Sequence, residues 1–511
     1  MVWSGRTLVL YRRPGCHICD QAEVTIREAA RTLGRRVRLL RVDISEDPGL
    51  LKQYLIEIPV LAEIDGRERL RAPFDREAVV ALLLEADPLT AEEEVPEMSE
   101  SKPVSLSERG RSIPGSPTMA LDAKAKAMRA KGENVLNLAV GEPDLPPPSE
   151  AIEAAQRGLA TVTRYTPPEG RPELRKAIAD AEAQDLSVPI SPDMVLVGTG
   201  AKQVLFSLAH VLFDPGDRVL VPSPYWVSYP DQLRLAGVEP VFVPTREEEG
   251  WRLTEEAVRA HVGPGVRGIL LNSPNNPSGA VISERDLAGI LTLAQEYHLW
   301  VVSDEIYSAL TYTGQPAPSA LTVAESLGID RRRVVLVDGA SKKFAMTGFR
   351  VGWAVADPDV VKAAGRHISQ VTSCVSGPAQ LAAEAALKLG PGPAHAMRDV
   401  YHRRRDRFVA GLNRIGLKTA LPEGAFYAWA SAAELVGHSI GGTPCFTTES
   451  VAGRILEVEK VATVPGEAFG VPGYLRLSFA NDEATLDEAL VRLERVLAEI
   501  QSVPETAGGP V

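Results

Sequence analysis

Lys342 and Arg350 lie within one short stretch, residues 339–350, that directly follows the apolar run 333–338. The apolar run is typical of a buried strand. A lysine just past a strand end can be desolvated and lose its proton, which makes its amine a nucleophile toward a carbonyl. A nearby arginine can bind a phosphate through two hydrogen bonds. The pair therefore indicates a site for a phosphorylated carbonyl compound, although the same residues could also form an exposed turn with surface charges.

Four further apolar runs lie between residues 190 and 385, and each is followed by residues that could belong to the same site. Apolar runs that alternate with helical stretches indicate parallel α/β layers, in which ligands bind at the carboxyl ends of the strands. In chain order the runs precede the glycine turn 198–203, Trp226, Asn276, and Asp304 with Tyr307. Any one of these residues alone could be a helix cap, a core residue or part of a turn. Because five strand ends would converge on one sheet edge, the sequence favours a ligand site there.

The chemistry of these side chains fits pyridoxal phosphate (PLP). The amine of Lys342 can form a Schiff base with the aldehyde, and Asp304 can keep the pyridine nitrogen protonated. Tyr307 and Asn276 can hydrogen-bond the ring hydroxyl, and Trp226 can stack on the ring. The predicted phosphate-binding groups are Ser341, Arg350 and the glycine-turn residues Gly200, Ala201 and Lys202.

Three motifs together resemble signatures of the class I/II aminotransferases, a group of fold-type I PLP enzymes. The motifs are Asn276-Pro-Ser-Gly279, Ser303-Asp-Glu-Ile-Tyr307 and Ser341-Lys-x5-Gly-x-Arg350. Chemistry alone does not separate Lys342 from its neighbour Lys343, whereas the spacing in the family selects Lys342. The resemblance covers about residues 107 to 500 and implies an aminotransferase domain at 107–505. Within it we expect a large α/β domain with a mostly parallel sheet at about 136–385, and a small α+β domain at about 107–135 and 386–505.

The resemblance also implies roles for residues that the strand ends do not contain. Gly141 and Arg476 would hold the substrate α-carboxylate in a pocket that also includes Trp226 and Asn276. Lys342 would move the substrate proton as general base and acid. Tyr165 would reach a phosphate across a subunit interface, which implies an obligate homodimer. Gly339 stands where many relatives have a phosphate-binding serine, and a serine there is expected to tighten PLP retention.

The motifs Pro222-Ser-Pro-Tyr-Trp-Val-Ser-Tyr-Pro230 and Ala345-Met-Thr-Gly348 resemble those of bacterial aspartate aminotransferases of the thermophile type, which implies L-aspartate and 2-oxoglutarate as substrates. In that branch Lys202, Ser116 and Thr118 would bind the distal carboxylate, although Lys202 could equally be a surface lysine. Pro114 stands where prephenate-using members have a basic residue. Aromatic or prephenate transamination and C–S β-elimination remain the alternative PLP reactions.

Cys16 and Cys19 form a C-x-x-C motif between a strand at residues 7–11 and an amphipathic helix at 20–33. At a helix N-terminus the thiol pKa of Cys16 falls, and Cys19 is placed to resolve a mixed disulfide. Zinc is not expected, because no second Cys/His pair lies nearby. The order strand-helix-strand-helix-hairpin-helix, together with Ile58-Pro59, resembles the glutaredoxin-like branch of the thioredoxin fold over residues 5–86, and implies a domain at 1–86. The family's glutathione-binding glycine pair is absent. A docking module with idle thiols and a redox-sensing scaffold are the alternatives.

Residues 87–106 form an acidic Pro/Ser-rich segment that reads as a linker, and residues 506–511 read as a disordered tail. The net charge of −12 without a basic stripe argues against nucleic acid as a partner. A PLP-domain transcription regulator would need a basic DNA-binding domain, and a dithiol segment stands at the N-terminal end instead. The apolar runs are too short to span a membrane and no signal peptide is evident, so a cytoplasmic enzyme that acts on amino acids and 2-oxo acids is expected.

Overall fold

The structure is a computed structural model, and it describes residues 6–12, 17–35, 37–44, 60–63, 68–71, 76–84, 106–107, 110–111, 115, 117–498 and 500–502. The chain divides into two compact units, Met1–Ser105 and Leu106–Val511. Within the described residues, no helix combines the length and the apolar character needed to cross a bilayer. The same residues contain no group of three or more acidic, histidine or cysteine side chains arranged to hold a metal ion.

The first unit is built on a four-stranded sheet. Its elements are β1 (Arg6–Arg12), α1 (His17–Thr32), β2 (Val37–Asp43), β3 (Val60–Glu63), β4 (Glu68–Arg71) and α2 (Arg76–Leu84). The strand order is β2-β1-β3-β4, with β1 and β2 parallel and the other pairs antiparallel. Leu8 and Leu10 of β1 pack with Ile26 of α1 and Leu83 of α2 to form the core. The short helix expected near residues 47–55, Pro59 and the hairpin turn lie outside the described residues.

The second unit contains the remaining elements. Its helices are α3 (Pro117–Ala130), α4 (Ser149–Thr161), α5 (Pro172–Leu186), α6 (Ala201–Leu212), α7 (Ser228–Leu235), α8 (Glu255–Arg259), α9 (Glu284–Glu296), α10 (Ala320–Ser326), α11 (Ala340–Lys343), α12 (Pro358–Val371), α13 (Gly377–Leu387), α14 (Gly392–Arg414), α15 (Thr448–Glu459) and α16 (Glu483–Ala498). Its strands are β5 (Leu136–Asn137), β6 (Val195–Gly198), β7 (Arg218–Ser223), β8 (Glu239–Pro244), β9 (Val266–Asn272), β10 (Trp300–Asp304), β11 (Val334–Gly339), β12 (Gly352–Val355), β13 (Tyr427–Ser431), β14 (His438–Ile440), β15 (Thr443–Pro444), β16 (Val461–Ala462), β17 (Val464–Pro465), β18 (Tyr474–Ser478) and β19 (Gln501–Ser502).

A seven-stranded sheet with the order β6-β12-β11-β10-β9-β7-β8 forms the centre of this unit. Only β12 runs antiparallel to its neighbours, so the sheet is mostly parallel as the sequence predicts. Along β11, Val334 and Leu336 belong to one apolar core whereas Val335 and Val337 belong to another. Since alternate residues of a strand point to opposite faces, both faces of the sheet are buried against other elements. The carboxyl ends of β6, β7, β9, β10 and β11 therefore meet at one edge.

A second layer of short sheets follows toward the C-terminal end. Strands β13, β18 and β17 form an antiparallel sheet, and β16 pairs in parallel with β5. The core of this part contains Tyr401 and Phe408 of α14, Tyr427 of β13, Leu475 of β18 and Leu493 of α16. The sheet holds β13 and β18 in fixed register, with Trp429 opposite Arg476, and so places polar residues of both strands near the edge of the large sheet.

Candidate active site

A cavity of about 570 Å³ lies at the edge where the five parallel strands end. Eleven of the residues predicted from the sequence line it: Gly141, Ala201, Lys202, Trp226, Asn276, Asp304, Tyr307, Ser341, Lys342, Arg350 and Arg476. Gly200 adjoins the cavity as the cap of α6. Ser116 and Cys16 lie outside the described residues, and the side chain of Thr118 does as well. The fold thus brings together groups that are up to 335 residues apart, from Gly141 to Arg476.

Lys342 lies in α11, the single helical turn that follows β11. Its Nζ donates a hydrogen bond to the carbonyl oxygen of Gly141. Burial lowers the pKa of the Lys342 amine to about 8 because the charged form loses its hydration. An amine with such a pKa is neutral in a substantial fraction of molecules near pH 7–8, which a nucleophile requires.

Lys343 is directed away from the cavity, since successive residues of a helix point about 100° apart. Its Nζ lies 2.7 Å from Asp338 Oδ2 and 3.5 Å from Glu182 Oε1, and both carboxylates are buried. Glu182 Oε1 also accepts a hydrogen bond of 2.9 Å from Trp353 Nε1. The two carboxylates raise the pKa of Lys343 above its usual value. Lys343 is therefore a cation, and its charge pairs with these two carboxylates within the core.

Asp304 ends β10 and supplies a buried carboxylate to the cavity. Its Oδ2 accepts a hydrogen bond of 2.6 Å from the Tyr229 hydroxyl, and its Oδ1 accepts one of 3.2 Å from the Ile306 backbone. Burial raises the pKa of Asp304 to about 6. A buried carboxylate that faces a cavity favours a positively charged partner there, as a protonated pyridine nitrogen would be. Tyr229, which orients this carboxylate, was not predicted.

The opposite end of the cavity is cationic and includes a helix N-terminus. Gly200 caps α6 with φ +78°, and a Cβ at this position would lie 2.6 Å from Nη2 of Arg350. The absence of a Cβ lets the Arg350 guanidinium lie against the turn. Burial and the charge of Arg350 lower the pKa of Lys202. Backbone amides at a helix N-terminus beside an arginine form a set of donors that fits a phosphate group.

Gly339 occupies extended backbone at the end of β11, beside β12. A Cβ on Gly339 would lie 3.0 Å from Gly352 Cα and 3.0 Å from the Val351 carbonyl oxygen. Because both neighbours are backbone atoms, a serine at this position would require β12 to shift. The family resemblance predicts that a serine at position 339 tightens PLP retention. The steric cost of the added side chain acts against that gain.

Arg476 of β18 is buried at the third side of the cavity. Its Nη1 donates to Asn276 Oδ1 at 3.1 Å and its Nη2 donates to the Ala139 carbonyl oxygen at 2.6 Å. Its Nε has no hydrogen-bond partner within the described part of the chain. Burial lowers the pKa of this guanidinium. A buried cation with an unsatisfied donor and neutral partners fits an anionic group of a ligand, such as a carboxylate.

Two phenols complete the cavity wall. The hydroxyls of Tyr307 and Tyr427 lie 2.8 Å apart, and the guanidinium of Arg476 lies 4.4 Å from the ring centre of Tyr427. Tyr307 is predicted from the sequence because it closely follows β10. Tyr427, which β13 contributes 120 residues later, is not predicted. The short sequence Gly424-Ala-Phe-Tyr427 after a proline-containing turn gives no local signal for a site residue.

Two other predicted residues lie outside the cavity lining. The side chain of Tyr165 is 88% exposed in this single chain. In the first unit, Cys19 is buried in α1 and disulfide-bonded, whereas Cys374 and Cys445 of the second unit are free thiols.

Comparison with known families matches both units. The family model described as Aminotransferase class I and II matches residues 133–493, and the model described as Glutaredoxin-like domain (DUF836) matches residues 7–84. The aspartate aminotransferase of Streptomyces avermitilis is 41% identical over 397 residues, which are 77% of this chain and 97% of the relative. The aspartate/prephenate aminotransferase of Thermus thermophilus is 39% identical over 396 residues, which are 77% of this chain and 98% of the relative.

Solved structures give the same result. The Thermus thermophilus aspartate aminotransferase with maleate matches with a TM-score of 0.72 and 39% identity, and covers 77% of this chain and 100% of its own. The Rhizobium meliloti aspartate aminotransferase matches with a TM-score of 0.74 and 36% identity, and covers 78% of this chain and 100% of its own.

The chain therefore belongs to the class I and II aminotransferases and has a glutaredoxin-like domain at its N-terminal end. It is a PLP-dependent enzyme of fold type I. The fold class, the family and the cofactor predicted from the sequence are confirmed. The donor set described above fits that cofactor, with a lysine amine, a buried carboxylate, two phenols and a cationic helix N-terminus around one cavity.

Proposed function

We propose that the enzyme transfers the amino group of L-aspartate to 2-oxoglutarate. The observation that carries the proposal is the pair of cations on the cavity wall, Arg476 and Lys202. A dicarboxylate substrate such as aspartate carries two anionic groups, and each of these can bind one of the two cations. The relatives named above are aspartate aminotransferases, and one of the solved structures holds maleate, a four-carbon dicarboxylate.

The proposed roles are supported by the lining of the cavity and by the family resemblance. Arg476 and the Gly141 backbone would hold the substrate α-carboxylate, and Lys202 would hold the distal one, with Ser116 and Thr118 as further proposed contacts. PLP, when bound, withdraws electrons from the substrate carbon that loses its proton. Lys342 would hold the cofactor covalently at Nζ. Once the substrate amine has released it, the neutral amine of Lys342 would act as the base toward the substrate α-proton and then as the acid that completes the 1,3-proton shift across the substrate nitrogen.

The remaining proposed contacts hold the cofactor in place. Asp304 would keep the ring nitrogen protonated, and Tyr307 and Asn276 would face the ring oxygen. Trp226 would stack on the ring. The phosphate would lie among Ser341, Arg350 and the α6 N-terminus formed by Gly200, Ala201 and Lys202.

Half-transamination with single amino acids tests the substrate. Aspartate and glutamate are expected to convert the visible absorption band of the bound cofactor, while leucine, phenylalanine and S-alkylcysteines do so far less at equal concentration. Lys202→Met should raise the KM for aspartate about tenfold or more, because a charge-assisted hydrogen bond to a carboxylate is worth about 1.5–3 kcal/mol. The same variant should leave the turnover of alanine unchanged, because alanine has no distal carboxylate. A band that responds to aromatic substrates or prephenate but not to aspartate contradicts the proposal. Release of pyruvate and ammonia from a cysteine conjugate would identify β-elimination instead.

We further propose that the enzyme acts as a homodimer in which Tyr165 contacts the phosphate bound by the partner subunit. The exposed tyrosine lies close in sequence to α4, which also exposes the apolar side chains of Ile152 and Leu159. Exposed apolar residues around a conspicuously exposed tyrosine favour a buried interface in the assembly. Sedimentation equilibrium should give twice the chain mass of 55.0 kDa, and a monomer at micromolar concentration would argue against shared sites.

A second activity is proposed for the first unit, namely thiol–disulfide exchange by Cys16 and Cys19. The observation that favours it is the disulfide bond of Cys19, which lies in the helix that follows β1. A cysteine that forms a disulfide bond can take part in thiol–disulfide exchange. The reduced full chain is expected to reduce a small mixed disulfide, and the C16S/C19S variant is not. Transamination should be unchanged in that variant. If oxidation alters transamination in the wild type but not in the variant, the first unit regulates the second. The proposed location of both activities is the cytoplasm.

A further inference from the structure

Tyr427 contacts two residues of the cavity that have different proposed roles, Tyr307 and Arg476. Its hydroxyl lies 2.8 Å from the hydroxyl of Tyr307, and its ring packs against the guanidinium of Arg476. A Cβ on Gly141 would lie only 2.8 Å from the Tyr427 hydroxyl. The phenol therefore occupies space that only a glycine at position 141 leaves free, and it contacts both the proposed carboxylate site and the proposed partner of the ring oxygen.

The direction of the hydrogen bond between the two phenols determines what Tyr307 can do. A phenol has one proton to donate, although its oxygen can accept others. If Tyr307 donated to Tyr427, it could face the cavity only as an acceptor. If Tyr427 donates, the single proton of Tyr307 remains available to a group in the cavity.

The surrounding charges favour donation by Tyr427. Burial raises the pKa of both phenols, and together with the neighbouring phenol it raises that of Tyr307 well above its usual value. The Arg476 guanidinium, 4.4 Å from the centre of the Tyr427 ring, opposes the rise at both phenols, whereas the Asp304 carboxylate adds to it at Tyr307. The more acidic of two phenols is the better donor, and so the hydrogen bond is expected to run from Tyr427 to Tyr307.

We propose that Tyr427 is a positioning residue for transamination. Its hydroxyl donates to Tyr307 and thereby directs the Tyr307 proton toward the ring oxygen of PLP. The inference rests on the proposed role of Tyr307 as the hydrogen-bond partner of that oxygen. Arg476 packs on the same phenol. A carboxylate that binds Arg476 therefore changes the electrostatic environment of Tyr427, and through Tyr427 it affects the hydrogen bond from Tyr307 to the ring oxygen of PLP.

Tyr427→Phe in the holoenzyme tests the proposal, because it removes one oxygen atom and keeps the ring. The measurement is the pH midpoint of the visible absorption band of bound PLP at rest. A hydrogen bond donated to the ring oxygen stabilises its anionic form and lowers this midpoint. If Tyr427→Phe removes the orientation of the Tyr307 hydroxyl, the midpoint should rise by about 0.5–1 pH unit. We also expect kcat to fall about threefold to tenfold while the KM for aspartate stays within about twofold.

Two matched variants distinguish the possible outcomes. Tyr307→Phe should raise the midpoint at least as far, since it removes the donor itself. Tyr312→Phe removes another buried hydroxyl, which donates to the Ala425 carbonyl and does not line the cavity, and should leave the midpoint unchanged. A midpoint that moves in Y307F but not in Y427F overturns the positioning role alone. If Y307F leaves the midpoint unchanged, the proposed role of Tyr307 is wrong and the inference fails with it.

Discussion

At the scale of single residues, two adjacent lysines of the same type acquire different chemistry from their surroundings. Lys342 is partly buried and has no carboxylate partner within bonding distance among the described residues, and desolvation lowers its pKa to about 8. Lys343 is also partly buried, but Asp338 and Glu182 stabilise its charge. Desolvation dominates for the first amine and ion pairing for the second. This difference supports Lys342 as the proposed nucleophile.

The pKa of Lys342 predicts how cofactor capture depends on pH. In the PLP-free enzyme only the neutral amine reacts, and its fraction rises about tenfold per pH unit until the pH reaches about 8. Stopped-flow absorbance should therefore show capture that accelerates from pH 6 to about pH 8 and then levels off. Lys342→Ala should give no such phase, although Lys343 is still present. A rate that keeps rising to pH 10 would indicate that the amine is not desolvated.

Gly200 offers a second prediction at this scale. Gly200→Ala combines a positive φ with a Cβ that would lie 2.6 Å from the Arg350 guanidinium. Backbone strain at such a position costs about 1–3 kcal/mol, and displacement of Arg350 should in addition weaken PLP binding about tenfold. Gly216→Ala is the matched control, because Gly216 also has a positive φ of 95° but no atom within 4 Å of the added Cβ. Equal PLP affinities in the two variants would show that the contact with Arg350 is unimportant.

At the scale of elements, the sequence predicts what is local and misses what depends on distant contacts. The five strand ends are predictable because each apolar run is followed directly by polar residues. Strand β12 is only four residues long and follows Arg350 closely, so its antiparallel place between β6 and β11 leaves no periodic signal. Tyr229 and Tyr427 reach the site through hydrogen bonds to residues 75 and 120 positions away, which no sequence spacing reveals.

The buried cluster behind α11 leads to a prediction about this element. Lys343→Met would leave Asp338 and Glu182 buried without their cation, which typically costs about 3–5 kcal/mol of folding free energy. Chemical denaturation should show this loss. The charge-reduced double variant Lys343→Met/Asp338→Asn should recover a large part of it, because one unpaired carboxylate is removed. Lys362→Met, which loses an exposed pair with Asp359, is the control and should change stability by less than about 1 kcal/mol.

At the scale of the whole molecule, two units with separate cores share one chain. The glutaredoxin-like match covers residues 7–84 and the aminotransferase match covers residues 133–493, so the two families do not overlap. Among the described residues, the core of the first unit contains only residues of that unit. Each unit therefore has the apolar interior that independent folding requires. The described residues that line the cavity all belong to the second unit.

A hybrid dimer tests whether subunits share their sites. Tyr165→Phe removes one proposed phosphate hydrogen bond and should weaken PLP binding about threefold to tenfold. When Y165F chains are paired with Lys342→Ala chains, one site of the hybrid combines Lys342 of the first chain with Tyr165 of the second. Absorbance titration of purified hybrids should then show wild-type affinity at the one lysine-containing site. If that site keeps the weaker Y165F affinity, Tyr165 acts within its own subunit. Tyr297→Phe, at another exposed tyrosine, serves as the matched control and should bind PLP as the wild type does.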